Sequence, residues 1–548
     1  MRNLAPRSGQ QEGTGPPSLL LLNARVLTMD HNQAGAQAVA VSGNTIAAVG
    51  SSSEFAALAA PATQTIDCGG KTLMPGFVDS HCHLLAQAAS LQGIDCSPRA
   101  VLSIQDLEWA IKCRAETTEA GHWIRGFGYD DLSFLENRHP TRWDLDRAAP
   151  NHPVRLDHRS GHASVLNSQA LDLAGINETT PDPVEGVIHR DGDTGQPSGL
   201  LFEMSGYLRQ RLSASRDQAA FQASVHHLNN TLLGYGITSV QDAGPDNGMD
   251  RWRTFQELQA SGALTCRVTM FAGVSRLAEF QSAGLNWGAG GDQLRLGHAK
   301  IMLTLTTGAL EPNLAALGGM VDNAHRSGFP VAIHAIEQEA IEAAVRALSD
   351  AAPLPKPASE TSIQPVDRIE HCAECPPQLV AELAKSGCLV VTQPGFIFWN
   401  GDDYLERVNA SMLPDLYPVG ALAKSGIPLA FGSDAPVIDA NPWPAIYSAV
   451  TRRTSGGNPL PPNGFQEQTI TVAEALRMYT SAGAKSEGSG HRKGTIQPGM
   501  LADMVLLDTD PLTADPDQLK EIRAVRTVLG GEVVWEGAGE IRRPRRAN

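Results

Sequence analysis

The sequence is short of basic charge, cysteine and long apolar runs, and each shortage removes a class of function. Lys and Arg number 43 against 59 Asp and Glu, a formal net charge of -16. Gripping a phosphate backbone takes clustered Lys and Arg, so no nucleic-acid partner is expected. The basic run Arg542-Arg543-Pro544-Arg545-Arg546 reads as a frayed, solvated tail. No apolar stretch approaches the ~20 residues a bilayer requires, so no membrane partner is expected either. Leu19 to Leu22 is too short for a signal-peptide core, and the Gly-, Pro- and Gln-rich residues 1–18 read as a disordered leader entering a strand. Eight cysteines without regular paired spacing suit a reducing cytoplasm. The isolated Cys372-Ala373-Glu374-Cys375 reads as buried thiols.

The 42% apolar and 19% charged residues present describe a globular enzyme-like chain, long enough for one large barrel and a second domain. The most informative stretch is Met74-Pro75-Gly76-Phe77-Val78-Asp79-Ser80-His81-Cys82-His83. Residues two apart in a strand point to one side, so His81 and His83 can grip one metal ion together. Four more ligand types each close a short apolar run: Lys300, His334, His371 and Asp434. Intervals of roughly 35–40 residues separate Lys300, His334 and His371, and Gln393 from Asp434, which suits βαβ units of ~30 residues or more. Helical patterns over Glu337 to Leu348 and Pro377 to Lys385 fill two of these intervals. The far longer interval from His83 to Lys300 predicts an insertion roughly within residues 90–230. Residues 19–74 and 485–548 alternate β-rich runs with turns. The expected fold is therefore α/β: a (β/α)8 TIM-type barrel over residues 75–484 with an insertion, plus a small β-sandwich domain built from both termini.

The order and context of these residues resemble the metal-dependent amidohydrolase superfamily, and the match extends to Gly494-Thr495-Ile496-Gln497-Pro498-Gly499-Met500-Leu501-Ala502-Asp503-Met504-Val505. Ser160-Gly161-His162, Asn167-Ser168-Gln169-Ala170-Leu171, Gly236-Ile237-Thr238-Ser239-Val240 and Thr392-Gln393-Pro394-Gly395-Phe396 look like the branch containing N-substituted formamide deformylase. The resemblance implies one or two divalent ions, with Zn2+ the first expectation, held by His81, His83, Lys300, His334, His371 and Asp434. It also implies that Lys300 either carries a carbamate bridging two metals or stays unmodified beside one. Many branch members carry Asp-Gly soon after this lysine, whereas this chain has Leu303-Thr304-Leu305-Thr306-Thr307-Gly308, so substrate contacts transfer less directly.

Asp434 is the expected general base, because a carboxylate beside a metal can orient water and accept its proton; helix capping is its other reading. His162 could donate to a substrate carbonyl, and Lys300 completes the expected catalytic set. Asn167, Gln393, Phe396 and Trp399 are expected substrate contacts, with Glu203, Asp242 and Phe398 behind them; packing is the competing role for the aromatics. The function expected is hydrolysis of a C–N bond in a small, uncharged amide, most narrowly an N-substituted formamide. Cyclic-amide opening, ring deamination and a non-catalytic binding barrel are the competitors. Self-association as a homodimer is left open.

Overall fold

In the computed structural model the described residues are 16–30, 35–183, 186–212, 218–305, 308–354 and 364–537. Most of the expected leader and the whole basic run 542–546 lie outside them. The described residues form a parallel eight-stranded barrel sheet: β1 (Phe77–Cys82), β2 (Ile237–Asp242), β3 (Arg267–Gly273), β4 (Leu294–Met302), β5 (Val331–Ala335), β6 (Arg368–His371), β7 (Leu389–Thr392) and β8 (Leu429–Phe431). Each strand lies beside the next in chain order. Nearly every strand residue is buried, as expected where one face packs into the barrel and the other under helices.

Helices cross between successive strands. Gln338–Asp350 buries Ala340, Ile341, Ala344, Val345 and Ala347 along one stripe, and Pro377–Ser386 starts with proline in its first turn and stops at Gly387, whose φ of 72° is a left-handed C-cap. Both sit within about two residues of the ranges expected from periodicity.

The insertion leaves the barrel after Leu84–Ser90 and returns at Gln218–Gly234. It forms a six-stranded sheet in the order Val187–Arg190, Pro197–Phe202, Ala163–Leu166, Val154–His158, Ile124–Tyr129, Ile94–Asp95. It has its own core, in which Leu107, Ile111, Leu145, Leu156 and Val165 pack together. Helix Ile104–Thr117 begins at Ser103, whose side chain accepts the Asp106 amide.

Both chain ends build a two-sheet sandwich. One sheet holds Leu19–Leu22, Ala38–Ser42, Thr45–Gly50 and Gln64–Asp67; the other joins Arg25–Val26 and Thr72–Pro75 to Met504–Leu507, Ala524–Leu529 and Glu532–Glu536. Leu19, Leu21, Val39 and Val41 face Leu73, Met504, Leu506 and Val528 across the interior. Residues just past 485 still serve the barrel: Gln241 Nε2 donates to Ser486 Oγ, and Lys493 Nζ donates to Ser239 Oγ. The sandwich's C-terminal share therefore begins nearer Gly494, where Ile496 enters its core. Gly76 links the two bodies where a Cβ would lie 2.3 Å from the Thr238 methyl, so only glycine fits.

Candidate active site

Six of the expected residues meet at one mouth of the barrel, where the strands' C-terminal ends lie. His81 belongs to β1 with His83 just beyond it, Lys300 to β4, His334 to β5 and His371 to β6, while Asp434 follows β8 by three residues. This is the end of a (β/α)8 barrel that carries chemistry. Asp434 Oδ1 lies 3.1 Å from His83 Nε2 and 3.5 Å from His81 Nε2. The His81 and His371 ring centres are 4.8 Å apart, and those of His334 and His371 4.4 Å. Two of these residues hold left-handed backbone, His371 at φ 73° and Asp434 at φ 59°. Such conformations cost about 1–3 kcal/mol each and persist only where the surroundings over-determine them.

A buried polar layer orients the imidazoles. Glu370 takes a very short contact from His81 Nδ1, and Arg368 clamps Glu370 through Nε at 2.5 Å and Nη2 at 2.9 Å. Arg368 also donates to Gln241 Oε1 at 2.5 Å and to the Ser80 carbonyl at 2.7 Å. Gln393 Oε1 accepts from His371 Nδ1 at 2.8 Å. With Nδ1 engaged as a donor in both rings, Nε2 is left as a free lone pair. A carboxylate thus serves His81 and an amide serves His371.

The donor set fits a divalent cation. His81 Nε2, His371 Nε2 and Lys300 Nζ are buried without a hydrogen-bond partner, a costly arrangement unless something else satisfies them. Burial drives the pKa of His81 and of His334 well below the ordinary imidazole value, with the Lys300 and His371 charges adding to the effect. Burial lowers the Lys300 amine to about 8, against the pull of Glu370 and Asp434. Neutral imidazole and an amine ready to lose its proton are the forms that ligation and carbamate formation need. Burial would raise Asp434, but the hydrogen bond with His83 and the surrounding histidines outweigh it and hold the carboxylate ionised.

The insertion brings His162 to the same mouth, its ring centre 5.7 Å from that of His334. Glu203 Oε1 holds His162 Nδ1 at 2.8 Å and sits at φ 53°. Burial disfavours the charged form of His162, yet Glu203 outweighs it and the pKa rises.

Other expected contacts are occupied elsewhere. Asn167 is fully buried as a helix N-cap: its Oδ1 accepts from Ala170 and Val154, and its Nδ2 donates to the His152 carbonyl. That corrects the expectation of a substrate contact, since no polar atom remains for a ligand. Gln393 gives its Oε1 to His371, while its Nε2 is buried without a hydrogen-bond partner. Phe396 stacks on Tyr417 at 5.5 Å in a local apolar cluster, Phe398 packs edge-on against Trp399 and Tyr447, and Trp399 lies beneath the Arg99 guanidinium at 4.2 Å. Of these only Trp399 is less than fully buried. Asp242 accepts from the Leu84 amide and from Asn247, fixing the turn after His83. Sequence reasoning missed Arg368 and Gln241 altogether; the available signal was the charged pair Arg368 and Glu370, two apart in the four-residue strand that ends at His371.

A (β/α)8 barrel with this ring of imidazoles, lysine and carboxylate at its C-terminal mouth defines a hydrolase of the metal-dependent type. More narrowly, residues 64–535 match the model of the Amidohydrolase family, and the chain belongs to that family. It is 30% identical to N-substituted formamide deformylase of Arthrobacter pascens, over 95% of this chain and 99% of that protein. It is 27% identical to putative amidohydrolase YtcJ of Bacillus subtilis, over 87% and 91% of the two chains. Among solved structures, an uncharacterized metal-dependent hydrolase from Pyrococcus horikoshii shares the fold at a TM-score of 0.72 and 23% identity, covering 91% of this chain and 99% of that one.

Proposed function

We propose that this hydrolase cleaves the C–N bond of a small, uncharged amide in the cytoplasm, most narrowly an N-substituted formamide, yielding formate and an amine. The observation that carries the chemistry is the convergence of unpartnered His81 Nε2, His371 Nε2 and Lys300 Nζ beside Asp434. The full-length similarity to a formamide deformylase supports the narrower substrate. His81, His83, His334, His371 and Asp434 would hold the ion, zinc being the best match to such a nitrogen-rich donor set, with Lys300 contributing through a carbamate.

A divalent cation bound there supplies Lewis acidity, polarising the amide carbonyl and bringing the pKa of water towards ~7. Asp434, held ionised, takes the proton from the attacking water at a carboxylate oxygen and returns it to the amine nitrogen as the C–N bond breaks. His162, oriented through Nδ1 by Glu203, presents Nε2–H to the carbonyl oxygen as negative charge builds there. One water and one formamide thus give one formate and one protonated amine.

The test is a substrate panel with metal analysis on the same purified sample. N-substituted formamides should release formate and amine one for one, faster than the matching acetamides or cyclic amides. The variant His83→Ala should lose metal and turnover while keeping its far-ultraviolet dichroism, since a barrel does not depend on its metal to fold. Turnover confined to ring amides would refute the formamide reading, and full metal content in His83→Ala would refute the site.

A further inference from the structure

The barrel's closing seam is built differently from its other seven. Among the described residues, hydrogen-bonded ladders join each strand to the next from β1 through β8, but none pairs β8 with β1. One carboxylate and two backbone bonds bridge the gap instead. Asp79, buried on β1, accepts the Ser433 amide on Oδ1 at 2.9 Å and the Ser433 hydroxyl on Oδ2 at 2.5 Å. The same Oδ1 takes the His81 amide at 3.2 Å, and Ser433 Oγ in turn accepts the Ala435 amide at 3.0 Å. Two backbone bonds complete the seam: Asp434 N–H to the His81 carbonyl and His83 N–H to the Ala435 carbonyl, both at 2.7 Å. Gly432 allows this approach, since a Cβ there would lie 2.6 Å from the His81 nitrogen.

Asp434 sits within this knot at φ 59°, a left-handed conformation that residues other than Gly, Asn and Asp rarely adopt. We infer that Asp79 and Ser433 are a positioning pair that sets the Asp434 carboxylate against His81 and His83, and so tunes the affinity and geometry of the metal centre without touching metal or substrate. The inference rests on the metal-site reading above. Three of the centre's residues, His81, His83 and Asp434, lie at this seam, where each strand has a ladder on one side only, whereas Lys300, His334 and His371 stand on strands locked by ladders on both sides.

Ser433→Ala removes the hydroxyl donor but leaves the backbone bonds, Asp79→Asn removes the charge, and Ser433→Thr keeps the hydroxyl. Each is loaded with Co2+ and read by its visible absorption spectrum, by competition with a chelator, and by kcat and KM. Thr527→Val is the structural control, losing a buried hydroxyl bond from the sandwich strand Ala524–Leu529 to the Leu233 carbonyl of helix Gln218–Gly234. The expected result is a shifted cobalt spectrum, about 10–100-fold weaker metal retention, and a lower kcat with KM nearly unchanged in Ser433→Ala and Asp79→Asn. Ser433→Thr should stay near the parent, and Thr527→Val should lose thermal stability with a parental spectrum. If Asp79→Asn does not fold, Ser433→Ala decides alone. Parental spectrum and affinity in Ser433→Ala would overturn the positioning role while leaving the metal reading intact. A parent protein that takes up no cobalt would overturn both.

Discussion

Replacing Asp434 by asparagine should remove a proton acceptor and little else. The asparagine oxygen can occupy the place of Oδ1, 3.1 Å from His83 Nε2 and 3.5 Å from His81 Nε2. The backbone at φ 59° accepts Asn readily, because its short amide tolerates the left-handed region. An amide cannot take up a proton at neutral pH. Loss of general acid–base catalysis typically costs 10²–10⁴ in rate, or about 2.7–5.4 kcal/mol at 1.36 kcal/mol per decade. The stability at stake is smaller, since hydrogen bonds to a charged group contribute about 1.5–3 kcal/mol each. Steady-state kcat and KM should be measured with metal content determined on the same sample. Asp434→Asn should keep metal and KM while kcat falls by about 10² or more. Asp434→Ala, run alongside, adds about 1–2 kcal/mol of backbone strain and removes the oxygen, so it should shed metal as well. An asparagine variant that retains metal and turns over near the parental rate would show that the proton passes through another group, with His162 the next to substitute.

Lys300→Ala should lose activity and metal, and a short carboxylic acid added with the metal should restore part of both by supplying the missing oxygens. Absence of rescue, with one ion per chain in native mass spectrometry, would favour an unmodified lysine. In the insertion, burial would raise the Asp144 pKa, but hydrogen bonds from Arg138 and Thr141 outweigh it and hold it at about 2. A folded pKa below the unfolded ~3.9 stabilises the protein above that pH and ceases to do so as pH falls through the folded value. Asp144→Asn should therefore lower the melting temperature at pH 7, with the gap closing between about pH 4 and pH 2; a gap that persists unchanged at pH 2 would contradict this assignment.

How much of this could be read in the sequence depends on whether local pattern sets direction. His81, His83, Lys300, His334, His371 and Asp434 each lie within three residues of a strand's end, and a strand's period of two turns adjacency into a shared side. The crossover helices announced themselves through their helical patterns, which the structure matches with buried apolar stripes. The insertion's extent was legible as an excess of length, but its sheet mixes parallel and antiparallel neighbours, and no periodicity encodes strand order. Asn167, Phe396 and Trp399 lie close to recognisable motifs, yet closeness along the chain does not say which way a side chain faces. Asp79 and Ser433 lie 354 residues apart, so nothing local could have paired them.

The sandwich that joins the two chain ends has a cost during synthesis. Thr72–Pro75, wholly buried in the finished protein, pairs with Met504–Leu507 and leaves the ribosome long before that partner exists. At about 5–20 residues per second, this apolar strand waits on the order of tens of seconds with its edge open. Such an edge is a template for pairing with other chains. His81 and His83, the ligands proposed on and just past β1, lie directly downstream of it, so the nascent barrel must assemble around a first strand whose flank is still unpaired. Yield in overproduction should then depend on translation speed and chaperone supply more than on the stability of the completed fold.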